Sequence, residues 1–371
     1  MNGSVLIYSV HKNEPEHERV CHIELGRRLS LILGRTFGGY HNGALHLSNG
    51  QPYLIATDTI IGIERARDLG IFDESRLFGG VAPHAFMPTK AITHPLCHQD
   101  AMAPEGWSYK FSDYVRQVVL AGYTVFSPAD ALRAGKMLLR QGAVRIKPVH
   151  GKAGRGQLVV NDEPELRDVL RDIDPDELKE CGLVLEEHLE RVRTYSVGQV
   201  RVAGMVASYV GTQRLTLDNQ GEEVYGGSEL TVTRGDYPAL FSLDLAPELM
   251  LAVAQAQLYD RAAAISFPDF FASRRNYDVA HGFDAHDRLR CGVLEQSWRP
   301  GGASAAEVLA LEALHARSDI NTIIAATLET FGEVEDVPSH AIELFNGQDR
   351  DIGHIRKYVM LKRYGDTQYS D

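Results

Sequence analysis

Little in the chain equips it for an oxidising compartment, a membrane or a nucleic acid. Four cysteines occur among 371 residues, and Cys21, Cys97, Cys181 and Cys291 show no paired spacing. That excludes a disulfide framework and a two-armed zinc knuckle, and it fits a reducing cytoplasm. No apolar run approaches the ~20 residues that cross a bilayer. The early run at residues 5–10 is too short for a secretory signal and has no basic leader. Positive charge is scarce: 38 Lys and Arg stand against 50 Asp and Glu, for a net charge of −12. Binding by counterion release needs a clustered cationic surface, so neither DNA nor RNA is the expected partner. Repeats and low-complexity linkers are missing too. What is present is a 44% apolar composition, enough for two or three packed lobes.

Hydrophobic periodicity divides the chain. Residues 5–10 predict a strand, 20–33 a helix ended by Gly34, 53–56 a strand, 59–69 a helix stopped by Gly70, and 77–81 a third strand. This β-α-β-α-β order predicts a parallel sheet covered by helices, a first α/β domain over residues 1–86. A helix-rich segment follows, with one helix over 111–121 and another capped by Ser127 and running to Leu139. A glycine hairpin, a helix over 163–171 and a strand over 182–189 complete a small lobe, residues 87–185. The strand leaves its sheet with charged residues attached, a candidate hinge. In the large lobe, residues 186–371, antiparallel strands are expected at 195–202 and 205–217. They precede a glycine-rich connection through Gly221, Gly226 and Gly227, then helices at 249–264 and 304–316. Residues 305–371 carry no chemical motif.

Residues 144–160 read as a strand, a cationic glycine loop and a second strand. Gly151, Gly154 and Gly156 let backbone N–H groups approach phosphate oxygens, and Lys147, Lys152 and Arg155 offset the negative charge. A Walker loop would run from Gly-Lys-Ser/Thr into a helix and a Rossmann turn would sit at a strand-to-helix junction. Here the chain continues as strand, giving a hairpin lid over polyphosphate or an ordinary hairpin with a solvated basic turn.

A second constellation lies late. Alternation puts Glu295 and Ser297 on one strand face, and a hairpin partner can bring Asp278 beside them. Carboxylates on adjacent strands repel one another, so a compensating cation such as nucleotide-bound magnesium is implied. Asp278 reads equally as a strand-edge carboxylate paired with Arg274 or Arg275. Arg299 precedes Pro300-Gly301-Gly302 and a helix start, a place that favours anions and where a guanidinium can stabilise developing charge. His94, Cys97 and His98 supply at most three metal ligands with no second arm, and read as a polar loop around Pro95.

With these motifs in order, the chain resembles the ATP-grasp superfamily across roughly residues 1 to 305, as an uncharacterised bacterial branch similar to carboxylate–amine ligases. Thr89-Lys90, Lys147-Pro148 with the glycine loop, Glu186-Glu187-His188-Leu189, and Asp278 with Glu295-Gln296-Ser297 carry the resemblance. It implies an ATP-grasp fold of α+β lobes behind an N-terminal parallel-sheet domain, with ATP and Mg2+ as cofactors. By the same resemblance Lys90 and Lys147 contact phosphates, the glycine loop closes over them, and Glu186, Glu187, His188 and Leu189 hold adenine. Asp278, Glu295 and Ser297 hold magnesium. Ser297 stands where the family usually has Asn, and Thr194 where many members carry a ribose-binding acid.

The implied activity is ligation: a small-molecule carboxylate becomes an acyl phosphate, and an amine or thiol displaces phosphate. Lys147, Arg299 and Arg275 would stabilise charge, and residues 221–234, including Glu229 and Arg234, would form part of the acceptor pocket. A phosphotransferase and a catalytically silent nucleotide-binding protein are the alternatives. The partners are small molecules, with a homodimer left open.

Overall fold

The computed structural model describes residues 3–10, 14–41, 50–150, 156–332, 337–364 and 367–368. The first lobe follows the alternation in its sequence. Strand β1 (Val5–Tyr8), helix α1 (Glu16–Leu33), β2 (Phe37–Tyr40), β3 (Tyr53–Ala56), β4 (Ile60–Ile61), α2 (Ile63–Asp68), β5 (Leu77–Phe78) and β6 (Gly80–Ala82) succeed one another. Four of the strands form a parallel sheet in the order β2-β1-β3-β5. Helix α1 stops at Gly34, whose φ of 61° is the left-handed conformation in which glycine ends helices at no steric cost. Strand β2 is additional to the expected elements, and the expected third strand is broken in two. Gly79, at φ 137°, turns the chain so that β6 joins a different sheet with β4 and a later strand at Phe271–Ala272.

The small lobe contains α3 (Tyr109–Val115), β7 (Gly122–Val125), α4 (Pro128–Leu139), β8 (Val144–Pro148), β9 (Leu158–Val160), α5 (Glu163–Arg171), α6 (Pro175–Cys181) and β10 (Leu183–Glu187). Its antiparallel sheet has the order β7-β10-β8-β9. Ser127 caps α4, accepting from the Asp130 amide, and Asp162 caps α5 through the Glu165 amide. Helix α3 ends at Val115, before the expected boundary.

The rest of the chain is a 9-stranded antiparallel sheet with helices on both faces. Its elements are β11 (Glu190–Val202), β12 (Met205–Leu217), β13 (Glu223–Arg234), α7 (Pro247–Ser266), β14 (Phe271–Ala272), β15 (Arg274–Phe283), β16 (Leu289–Ser297), α8 (Ser304–Ala316), β17 (Thr322–Phe331), β18 (Ile342–Asp349) and β19 (Gly353–Tyr364). Among the described residues the order is β16-β15-β11-β12-β13-β17-β19-β18, with β20 (Thr367–Gln368) paired to β19 as the ninth strand, while β14 lies in the separate sheet with β4 and β6. Gly226 and Gly227, expected in a connection, lie inside β13. At Gly227 the backbone approaches β17 so closely that a Cβ would meet the Thr327 carbonyl oxygen.

Leu25, Leu29 and Ile32 of α1, spaced to share one helix face, pack against α8, β1 and the large sheet in a common core. Each such side chain stabilises the fold by roughly 1.5–3 kcal/mol when fully buried. The first lobe is therefore fixed against the large sheet. Gly80 lies so near Trp298 that a Cβ would approach the Trp298 Cβ to 2.8 Å, and Ser273 bonds Leu77 and Gly79. Both contacts hold the first lobe beside the end of β16.

A carboxylate pair and a buried lysine in one candidate site

A cavity of about 1140 Å3 opens between the three lobes. It exceeds the roughly 300–1,000 Å3 typical of a single small-molecule site. Strands β15 and β16 form one wall. Their register sets Asp278 opposite Glu295 and Asn276 opposite Ser297, and the period of two turns Arg274, Asn276 and Asp278 toward the cavity. Asp278 accepts from Asn276 Nδ2 at 2.9 Å and from Ser196 Oγ at 3.4 Å. Burial, followed by the negative charge of Glu295, pushes the Asp278 carboxyl up to about 6. Lys90 forms an ion pair with Glu295 at 2.9 Å. It sits in a short 3-10 turn capped by Thr89 and tied to β16 by Gln296, which donates to the carbonyls of Met87 and Thr89.

Beneath this pair lies a second, fully enclosed group of charges. Arg274 grips Glu307 of α8 with two bonds, Nε to Oε2 at 3.0 Å and Nη2 to Oε1 at 2.6 Å, and both side chains are at most 1% exposed. Tyr209 donates to Glu307 Oε1 at 2.7 Å, and Ser304 Oγ donates to Glu307 Oε2 at 3.4 Å. Through Nη1, Arg274 also donates to Ser297 Oγ, to the Ser297 carbonyl and to the Arg299 carbonyl. The loop carrying Arg299, Gly301 and Gly302 into the cavity wall is thus held from below. The Arg299 guanidinium bonds the Pro300 carbonyl at 2.8 Å and reaches 3.8 Å from Asp58 of the first lobe.

The opposite wall belongs to the small lobe. Lys147 on β8 is buried and ion-paired with Glu186 on β10, and Glu186 also meets His94 Nε2 at 3.2 Å. Burial alone would raise the Glu186 carboxyl, but the Lys147 charge and the His94 bond hold it at about 2. Beyond Glu186 the chain passes from the small sheet to the large one. Glu187 accepts from Arg290 and from the Ala121 amide, both at 2.9 Å, Leu189 lines the cavity, and His188 receives Arg145 Nη2 at 3.1 Å. Burial, then Arg145, lowers the His188 pKa.

The expected residues sort as follows. Lys147, Glu186, Glu187, Leu189, Asp278, Glu295, Ser297 and Arg299 line one cavity, and Lys90 reaches it through Glu295. Thr194 lines it as well. Gly151, Lys152, Gly154 and Arg155 lie outside the described residues; Gly156, at φ 74°, leads into β9. Arg275 is a correction. Strand parity turns it to the opposite face of β15, where it lies 3.6 Å from Asp260 of α7 and 3.5 Å from Glu74, and Arg274 occupies the cavity side instead. Glu229 and Arg234 are corrections too. Glu229 pairs with Lys362, while Arg234 bonds the carbonyls of Leu314, Arg317 and Ile320 at the end of α8; Tyr225 and Ser228 are the β13 side chains in the cavity. Neither Arg274 nor Asp278 pairs with the other as an ion pair: Arg274 is committed to Glu307. Sequence reasoning missed Asn276 and Glu307, and it named Arg274 and His94 only in other roles, as an Asp278 partner and as a metal-ligand candidate. For Arg274 and Asn276 the signal was present, since any strand that points Asp278 inward also points residues 274 and 276 inward.

Residues 5–359 match the family described as a protein of unknown function, DUF3182. Among curated proteins no match is found. Solved structures do match: N5-carboxyaminoimidazole synthetase from Staphylococcus aureus has a TM-score of 0.55 at 11% identity, covering 97% of this chain and 95% of that one. The same enzyme complexed with ADP gives a TM-score of 0.56 at 11% identity, over 97% and 93% of the two chains. Biotin carboxylase from Campylobacter jejuni, in a β,γ-ATP complex, gives 0.53 at 13% identity, over 97% and 87%. Together with the parallel N-terminal sheet, the small antiparallel lobe and the long antiparallel sheet described above, these likenesses identify the chain as a member of the DUF3182 family with the ATP-grasp fold.

Proposed function

We propose that the protein is an ATP-dependent ligase that converts a small-molecule carboxylate to an acyl phosphate and transfers the acyl group to an amine or thiol. One observation carries this reading: Asp278 and Glu295 face each other across paired strands in the same cavity as Lys147 and Arg299. Two carboxylates so placed, one of them already pushed toward protonation, call for a hard divalent cation. The donor set suits magnesium, held by Asp278 and Glu295. Ser297 is left out of that set, because its hydroxyl is engaged by the Arg274 guanidinium and the Arg299 carbonyl. When bound, magnesium neutralises phosphate charge and orients the triphosphate.

The remaining work falls to the chain itself. Lys147, preset by Glu186, and Lys90, set beside Glu295, supply fixed positive charge to phosphates. Glu186, Glu187 and Leu189, where the two sheets meet, receive the adenine, while His188 does not line the cavity and is engaged by Arg145. Arg299 stabilises charge on the transferred phosphoryl group or on the tetrahedral intermediate. No side chain acts as nucleophile, so positioning and electrostatics account for the chemistry. The cavity is large enough for a nucleotide and a second substrate together. The test is a screen of pooled amino acids and small carboxylic acids for ATP-dependent phosphate release, with mass spectrometry of products. An amide or thioester product is expected. A stable phosphorylated product would replace ligation with phosphotransfer, and no ADP release with any mixture would contradict both.

A further inference from the structure

We propose that Cys97, His98 and Asp130 form a site for a divalent cation of the zinc type, separate from the nucleotide cavity. In the sequence Cys97 and His98 make one arm with no second. The fold supplies the second arm from the first turn of α4. His98 Nε2 lies 2.8 Å from Asp130 Oδ1, and Cys97 Sγ lies 3.7 Å from the same oxygen. The three donor atoms all fall within 4.8 Å of one another. Ligands of one tetrahedral zinc, with Zn–S near ~2.3 Å and Zn–N or Zn–O near ~2.0 Å, stand roughly 3–4 Å apart. Small side-chain adjustments separate the two arrangements.

The Asp130 carboxylate divides its oxygens between two tasks. Oδ2 accepts from Ser127 Oγ at 2.7 Å and from the Met102 amide at 3.4 Å, which fixes the group from behind. Oδ1 is left turned toward His98 and Cys97. Such outer hydrogen bonds are how proteins orient ligating side chains. Sulfur, imidazole and carboxylate together favour zinc and its neighbours over magnesium, and three protein ligands leave one tetrahedral position for water. Asp130 is buried while Cys97 and His98 are half-buried, so an ion can enter from solvent.

The location gives the site a consequence. The segment joining the Lys90 turn to residues 97–98 already lies along β7, where Thr124 bonds the carbonyls of Ala91 and Pro95. An ion would clip that segment to α4, so that Lys90 and the small lobe share one rigid support.

The test uses the full chain stripped of metal and titrated with Co2+, then Zn2+. One equivalent of Co2+ with thiolate-to-metal charge-transfer absorption is expected, displaced by Zn2+. Cys97→Ser should remove the charge-transfer band, and His98→Ala should weaken Zn2+ binding by about tenfold or more. Glu295→Gln and Asp278→Asn should change neither, which keeps this site distinct from the nucleotide cavity. Circular dichroism verifies that the variants are folded. A Co2+ spectrum without thiolate charge transfer, or Cys97→Ser and His98→Ala binding Zn2+ as tightly as the native chain, would overturn the proposal.

Discussion

Two acidic neighbourhoods sit on either side of the same strand end, and they are built on opposite terms. Glu307 is sealed from water yet fully answered, with a bidentate guanidinium, a tyrosine hydroxyl and a serine hydroxyl. Asp278 and Glu295, nearer the open cavity, oppose each other in register, and the side chains donating to Asp278 are neutral. The first arrangement is complete within the fold and holds a loop in place. The second has charge left over, which is the mark of a site completed by something outside the chain. Position alone would not separate them. The inventory of donors does.

The sharpest way to break this contrast is to neutralise one member of each group. Glu295→Gln should lower ATP-dependent turnover at least ~1000-fold, equivalent to about 4 kcal/mol of barrier, while leaving the thermal midpoint near that of the native chain. Retained activity would reduce the open pair to a surface ornament. Arg274→Met should do the reverse, costing roughly 3–5 kcal/mol in denaturant unfolding because it strands a buried carboxylate. Arg274→Met combined with Glu307→Leu should recover much of that loss. Equal destabilisation by the double variant would show that the ion pair is not what makes the single variant weak.

Stability against pH offers a finer contrast. Asp278 in the folded chain sits at about 6, above the ordinary ~3.9, so folding favours its protonated form. Its contribution is full below the unfolded value and is lost as pH rises through about 6. Glu186, held at about 2, contributes stability above its ordinary range that disappears as pH falls through about 2. Urea midpoints should therefore fall between about pH 4 and about pH 6, and Asp278→Asn should flatten that decline. A decline unchanged in Asp278→Asn would assign it to another group. The smallest effect is expected from Ser297→Ala, within about 1.5 kcal/mol in stability for a lost hydrogen bond, and less than about tenfold in turnover, because the residue is assigned to the loop and not to the metal. A larger loss of turnover, rescued by excess Mg2+, would return Ser297 to the ligand set.

How far the sequence could anticipate this depends on the range of each interaction. Local signals were strong: the Ser127 cap and the Gly34 stop are written within a few residues, and the corresponding helix ends follow them. Strand β2 escaped because two of its four residues are glycine, and β13 was taken for a connection because Gly226 and Gly227 interrupt it. Gly38, Gly226 and Gly227 serve close approach to neighbouring backbone or side chains and Gly39 takes a φ of 76°, tertiary and conformational reasons invisible to periodicity. Strands β17, β18 and β19 left no motif, although they extend the large sheet and Thr327, Glu329 and Lys357 on them line the cavity. Within the site, the acidic pair was legible because a period of two and a hairpin suffice to bring Asp278 to Glu295. Choosing Arg275 over Arg274 ignored that same period. The Glu307 partner could not be read at all, since its pairing joins α8 to β15 across strand β16 and the loop that follows it. Asp130 escaped as a companion of Cys97 and His98 for a like reason, 32 and 33 residues away in sequence.

The most direct measurement is calorimetric binding of ADP with and without Mg2+ to the native chain and to Asp278→Asn and Glu295→Gln. The account predicts that Mg2+ tightens binding at least ~10-fold, about 1.4 kcal/mol, in the native chain, and that either substitution abolishes this gain while ADP alone still binds. An affinity indifferent to Mg2+, or a gain that survives both substitutions, would contradict the assignment of the carboxylate pair.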